Sequence, residues 1–386
     1  MPELMKHRND GVTRLPDESS STRRRPGTSI PMAGIASLFL GWAFTLCLPV
    51  PDAISADANT KMSTNAAKSY RKTNDIPPRH QWEANYGYCG EVSLISAGLY
   101  YGQYVSQYDA RAIASRNTDQ SKESSQLLLG VNDSYAAAQM HLKATQWKGA
   151  ANPESFLSWV KEKVASGYPV VIGVYYNQRS FEASNDPDAG DNEYDHIVPV
   201  IGVSSKHPFM PSAYHGDDVI TFSDNGLWSP DGEPDFIYKS SFESFQANRR
   251  QANSKVHPIY SLPRDARNYG VAITGIIDRD GQALPVRLST NVNHEKPIMK
   301  EGANDRPASQ DLTLTVTVSG LTPGVSYNLY RYDDFRSVPD AGFNAAAEKA
   351  EKKWEINIKS GSSFSTTEKI KSDQTVVYRA VPATAP

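Results

Sequence analysis

Between residues 89 and 262 the apolar positions fall into two rhythms. From Cys89 the stretch CGEVSLISAGLYYGQY places Val92, Ile95 and Leu99 at helical spacing, so a core-packed helix is expected to begin at the cysteine. Asn152 followed by Pro153 is a cap with proline at the first helical position, and Phe156, Leu157, Val160 and Val164 carry a second helix to Gly167. Pro169 then opens PVVIGVYY, a β-branched run suited to a buried strand; HIVPVIGV (196–203) is another, and VITFSD (219–224) a third that ends in an Asn225-Gly226 turn. Past Pro263 the pattern becomes strand-like alternation. YGVAITGII and LPVRLSTNV flank Asp280-Gly281, and Leu312, Leu314, Val316 and Val318 share one face before a Gly-Leu-Thr-Pro-Gly turn, which reads as a β-sandwich over 263–386. FNAAAEKAEKKW, around Ala341 to Lys353, is expected as a helical insert in it.

One apolar run obeys neither rhythm. Arg23, Arg24 and Arg25 precede an uncharged stretch from Ser29 to Pro51, with Ala56-Asp57-Ala58 just beyond as a small-x-small cleavage pattern. Residues 1–58 are therefore expected to be a leader with a signal peptide or an uncleaved signal anchor, either of which carries the remainder across a membrane. A linker (59–74) would join it to a first domain (75–262) and to the sandwich (263–386). The protein is expected to be secreted or extracytoplasmic, released from the leader or tethered to the membrane by it.

Composition narrows the chemistry. Lys plus Arg is 40, Asp plus Glu is 43 and the net charge is -3, so nucleic acid is not an expected partner. There is no zinc-like cysteine and histidine spacing and no glycine-rich phosphate loop, and no cofactor is called for. The segment SNDPDAGDNEYD (184–195) is rich in carboxylates but fails the EF-hand pattern; it reads as a solvated loop, or as one that favours basic substrates. Asn132-Asp133-Ser134 is a glycosylation sequon.

Of two cysteines, Cys47 lies in the leader, which leaves Cys89 as the only thiol of the exported part. An unpaired cysteine is often an inert core residue, but one at a helix start meets unpaired N–H groups and the helix dipole, which favour the thiolate. A histidine then heads one strand (His196), and a carboxylate or amide ends the next (Asp224 or Asn225). These are the parts of a cysteine-nucleophile triad, in which the thiol attacks a carbonyl, the imidazole shuttles its proton and the third group orients the ring. His196 could instead be a satisfied core histidine, and Asp224 could simply begin a turn.

The series YCGEVSLI, SGYPVVIGVYYN, YDHIVPVIGV, VITFSDNG and YKSSFESFQ, over residues 78–250, resembles the papain-like cysteine peptidase superfamily, closest to its bacteriocin-leader-processing domains. The resemblance implies an α+β fold, with a papain-like domain followed by the sandwich, and a peptide or protein substrate. It also implies Cys89 as nucleophile, His196 as general base and acid, and Asp224 as orienting residue. That family places a glutamine six residues before the cysteine to bind the oxyanion; here Glu83 stands there, and the donor is expected to be Gln81, two residues earlier, with the Asn85 amide as a closer-lying substitute. SGLTPGVSYNLYRY is similar to a segment of fibronectin type III domains. Besides peptide-bond hydrolysis, the pattern admits acyl transfer through the same triad, or a non-catalytic domain that binds peptides.

Overall fold

The computed structural model describes residues 69–149, 151–176, 193–226, 237–254 and 259–384; the leader and most of the 184–195 loop lie outside them. The first half of the chain contains β1 (Tyr70–Thr73), α1 (Cys89–Tyr100), β2 (Gln103–Tyr104), α2 (Gln107–Ser115), α3 (Asp133–Gln139), β3 (Leu142–Gln146), α4 (Pro153–Ala165), β4 (Val170–Tyr176) and β5 (His196–Ser205). There follow β6 (Val219–Ser223), β7 (Ile237–Ser241), β8 (Gln246–Ala247), α5 (Arg249–Ala252), β9 (Tyr260–Pro263) and β10 (Gly270–Ile276). The last stretch holds β11 (Val286–Thr290), β12 (Asp311–Ser319), β13 (Ser326–Tyr332), β14 (Lys352–Asn357), β15 (Ser363–Lys371) and β16 (Val376–Pro382).

This overturns the expected α+β papain-like plan. Of the described residues 33% are strand and 19% helix, arranged in several antiparallel sheets. The helices expected at Cys89 and Pro153 do form, but much of the chain around them pairs as strands. The largest sheet runs β3-β10-β4-β5-β6-β7, every neighbouring pair antiparallel, with β1 beside β5. Tyr70–Thr73, expected as linker, is thus a strand paired with Gly202–Ser205. Two smaller sheets, β11-β12-β15 and β14-β13-β16-β2, share an apolar core that includes Leu314, Val316, Leu329 and Tyr378.

Two strands cross the boundary expected at residue 263. β10 inserts between β3 and β4 of the large sheet, and β2 completes the four-stranded sheet by pairing with β16. The expected helical insert over 341–353 is reduced to one 3₁₀ turn at Ala347–Lys349, because buried Phe343 and the Asn344 amide, tied to Pro382 O at 2.8 Å, fix the backbone against the sheet. Asn132, the sequon residue, uses both ends of its amide locally, accepting from Leu128 N and donating to Gln126 O. No helix among the described residues is long and apolar enough to cross a membrane.

Strands β4 and β5 position the chemistry because both of their faces are covered. Val170, Ile172, Val174, Val198 and Val200 pack under the α4 side chains Phe156, Leu157, Val160 and Val164, whereas Val171 and Ile197 face Leu94 and Ile95 of α1. Each fully buried aliphatic of this kind contributes about 2 kcal/mol. The helix that begins with Cys89 is therefore pressed onto the strand that begins with His196.

Candidate active site

The chain approaches Cys89 through three consecutive left-handed residues, Asn85 (φ 51°), Tyr86 (φ 69°) and Gly87 (φ 79°). Such a turn is strained for two non-glycine residues, so something must hold it. Arg111, fully buried on α2, does so. It donates to the Asn85 carbonyl at 2.7 Å and to that of Gly87, lies over the Tyr88 ring at 3.5 Å, and pairs with Glu91 of α1 at 2.7 Å. Glu91 also accepts from Leu127 N at 3.0 Å, drawing the 127–131 loop over the start of α1. That loop comes so close that a Cβ on Gly90 would sit 2.1 Å from Leu127 O, which is the physical requirement behind the Cys-Gly pair.

Cys89 emerges from this turn as the first residue of α1, half-buried and free. His196, 7% exposed, opens β5 opposite Val174 of β4. Its Nε2 lies 3.3 Å from Asp224 Oδ1, and Cys89 acts on the ring electrostatically. The ring stacks on Tyr260 of β9, centroids 5.1 Å apart at 18°. Asp224, buried at the end of β6, also accepts from Gly226 N at 2.7 Å, which fixes the carboxylate. Burial favours the neutral imidazole, but the hydrogen bond to Asp224 and the proximity of Cys89 outweigh it and raise the pKa to about 10.

Asn225 faces the other way. Its Nδ2 donates to Cys89 O, Ser93 Oγ and Ile197 O at 3.2, 2.9 and 3.1 Å, tying the Cys89 helix to the His196 strand. It is thus a strut between those elements, and Asp224 is the residue on the ring. No protein-family model matches this sequence, and no curated protein matches it significantly.

The three oxyanion candidates separate in space. Glu83 is exposed. Asn85 is buried and committed elsewhere, its Nδ2 donating to Ala303 O at 2.7 Å and its Oδ1 accepting from Gly302 N at 2.7 Å. Gln81 is held by its backbone N–H on Asn225 O at 2.9 Å, and its amide sits beside the imidazole: a Cβ built on Gly226 would lie 3.2 Å from Gln81 Nε2 and 3.0 Å from His196 Cε1. Sequence reasoning missed Arg111, Glu91 and Tyr260. A carboxylate within the apolar run of α1 was the one available sign of the first two; nothing local marks Tyr260. No group of three or more His, Cys, Asp or Glu among the described residues could hold a metal.

Proposed function

We propose that the chain is a cysteine hydrolase that cleaves peptide bonds through Cys89, His196 and Asp224, with a peptide or protein as substrate. The observation that carries this reading is the His196 ring, held 3.3 Å from a buried carboxylate while Cys89 interacts with it from the first turn of a helix. Such a set of groups recurs on unrelated folds, so a β-rich architecture is compatible with it. In this mechanism the Cys89 thiolate adds to the scissile carbonyl, and the His196 imidazolium gives its proton to the departing amine. His196 then takes a proton from water as it attacks the thioester, releasing the acid and restoring the thiol. The Gln81 amide and the Cys89 N–H, which has no acceptor within α1 at this helix position, stabilise the oxyanion. An amine in place of water would turn the same intermediate into acyl transfer. The arginines and apolar run of the leader support action outside the cytoplasm.

The test combines reactivity with turnover. Iodoacetamide should alkylate native Cys89 well below pH 8, His196→Ala should move that profile toward an ordinary thiol, and Cys89→Ala should abolish turnover of a peptide library. A Cys89 that resists alkylation until the protein is denatured, or turnover that survives Cys89→Ala, would overturn the proposal.

A further inference from the structure

A cavity of 310 Å³ lies where the C-terminal end of α1 meets β10, β11 and β16, with Tyr100, Tyr101, Tyr168, Arg287, Tyr378 and Arg379 in its wall. Arg379 is 1% exposed, yet its donors reach only neutral acceptors: Nη1 to Tyr101 O (3.2 Å) and Tyr378 O (2.9 Å), Nη2 to Gln103 Oε1 (3.0 Å). Its Nε is buried with no hydrogen-bond partner among the described residues. Arg287 donates to Tyr100 O at 3.3 Å and lies 3.4 Å over the Tyr100 ring. Neither forms an ion pair with a carboxylate among the described residues; Asp278 acts on Arg379 only through its field.

The acceptors these arginines do have include the last carbonyls of α1, and a helix C-terminus is equivalent to about half a negative charge. Against two guanidinium groups that leaves about one and a half positive charges, offset in part by the field of Asp278, in the wall of a cavity open to solvent on one side. Burial lowers the Arg379 guanidinium to about 10, the direction expected for a cation short of counter-charge. Buried charges are stable when paired, and the planar fork of arginine matches the oxygens of a carboxylate or phosphate. We propose that this cavity binds a small oxyanion-bearing ligand, a carboxylate or a phosphate, with its charge against Arg287 and Arg379 and its body against the tyrosines. Because α1 has 12 residues, the site is about 17 Å from Cys89 along the helix and is separate from the scissile position.

The full chain is titrated by calorimetry with sodium phosphate and, separately, with sodium benzoate, at ionic strength held constant with sodium chloride. Saturable binding of at least one is expected, weakened about tenfold or more in Arg287→Gln and less in Arg287→Lys, since a charge-assisted hydrogen bond is lost only in the first. Saturation by benzoate alone identifies a carboxylate ligand, and by phosphate alone a phosphorylated one. Melts of both variants in chloride confirm that they are folded, which Arg379 substitutions need not be. No saturable heat with either anion, or binding unchanged in folded Arg287→Gln, would sink the proposal.

Discussion

His196 is pulled two ways, because its burial favours a neutral ring while Asp224 and Cys89 favour imidazolium, and the second pull prevails. With a folded pKa near 10 against 6.5 unfolded, the ring contributes stability that is fully present below about pH 6.5 and is lost as pH rises through about 10. Asp224→Asn removes the carboxylate charge while keeping its size. The pH above which Cys89 is alkylated fast should then rise, because the imidazolium that stabilises its thiolate is less favoured, and turnover should drop by about 10²- to 10⁴-fold. A pH–rate profile of alkylation reads the first effect, and an unmoved acid limb would show that Asp224 does not act on the ring. Gln81 and Asn85 give a second residue-level contrast. Gln81→Ala should lower turnover by about 10²- to 10³-fold with little change in melting temperature. Asn85→Ala should instead cost about 1–3 kcal/mol, because Gly302 N and Ala303 O lose their buried partner. Turnover and urea melts of both variants separate the roles. The sequence favoured Asp224 but kept Asn225 as an alternative because both end the same strand; which neighbour meets the histidine depends on which way each side chain points, and chain position does not carry that information.

At the level of elements, two buried ion pairs fix the approach to Cys89. Arg111 with Glu91 joins α2, the left-handed turn and α1. Removing one partner of such a pair leaves a buried charge, so Arg111→Met should cost about 3–5 kcal/mol; Arg111→Met with Glu91→Leu should recover much of that, since an apolar pair of similar volume replaces the ions at little cost. Turnover should stay low in the double variant, because the Asn85 and Gly87 carbonyls remain untethered. Denaturant melts and turnover of the three proteins test this, and full activity in the double variant would show that the turn holds itself. The second pair lies on the excursion between β11 and β12. Buried Glu295 bonds to Arg79 at 3.4 Å and accepts from Gln107 N at 3.0 Å, while Trp82 donates to its carbonyl at 2.9 Å. Burial raises its pKa to about 7, against the Arg79 charge that opposes the shift. An acid whose folded pKa exceeds its unfolded 4.5 stabilises the fold fully below about 4.5 and loses that contribution as pH rises through 7, here about 3 kcal/mol. His80 beside it, depressed to about 2 by burial, has the opposite slope and loses its contribution as pH falls below about 6.5. The comparison of Glu295→Gln with wild type isolates the Glu295 contribution: between pH 4.5 and 7 the wild type should lose stability relative to the variant, and parallel curves would refute the assignment. The starts of α1 and α4 were legible because caps and helical spacing are local signals. The excursion was not, because its polar residues are consumed by partners more than a hundred positions away.

For the whole molecule, composition and periodicity showed where strands occur but not which strands pair. Gly270–Ile276 reads as the opening strand of a sandwich, yet it lies between β3 and β4, because pairing is decided by long-range burial rather than by order along the chain. The consequence can be tested by truncation after Pro263. That fragment would keep Cys89, His196 and Asp224, but would lose β10, exposing the edges of β3 and β4. It would also lose Tyr330, Tyr332, Phe335 and Val377, which share a core cluster with Leu94, Ile95 and Ile197, and the arginines Arg287 and Arg379 that bond the carbonyls at the end of α1. Unpaired strand edges beside exposed core aggregate. The fragment should therefore be insoluble or unfolded, and when recovered in mild denaturant its Cys89 should react with iodoacetamide as a free thiol does. A truncation that begins after Ile276 should fare no better on the other side, since the four-stranded sheet would lose β2 and the shared core would lose Leu99 and Tyr104. Circular dichroism and the alkylation rate of both fragments decide the point. A soluble fragment ending at Pro263 that keeps the fast, His196-dependent alkylation of the full chain would mean that the strands crossing the boundary decorate the site and do not hold it.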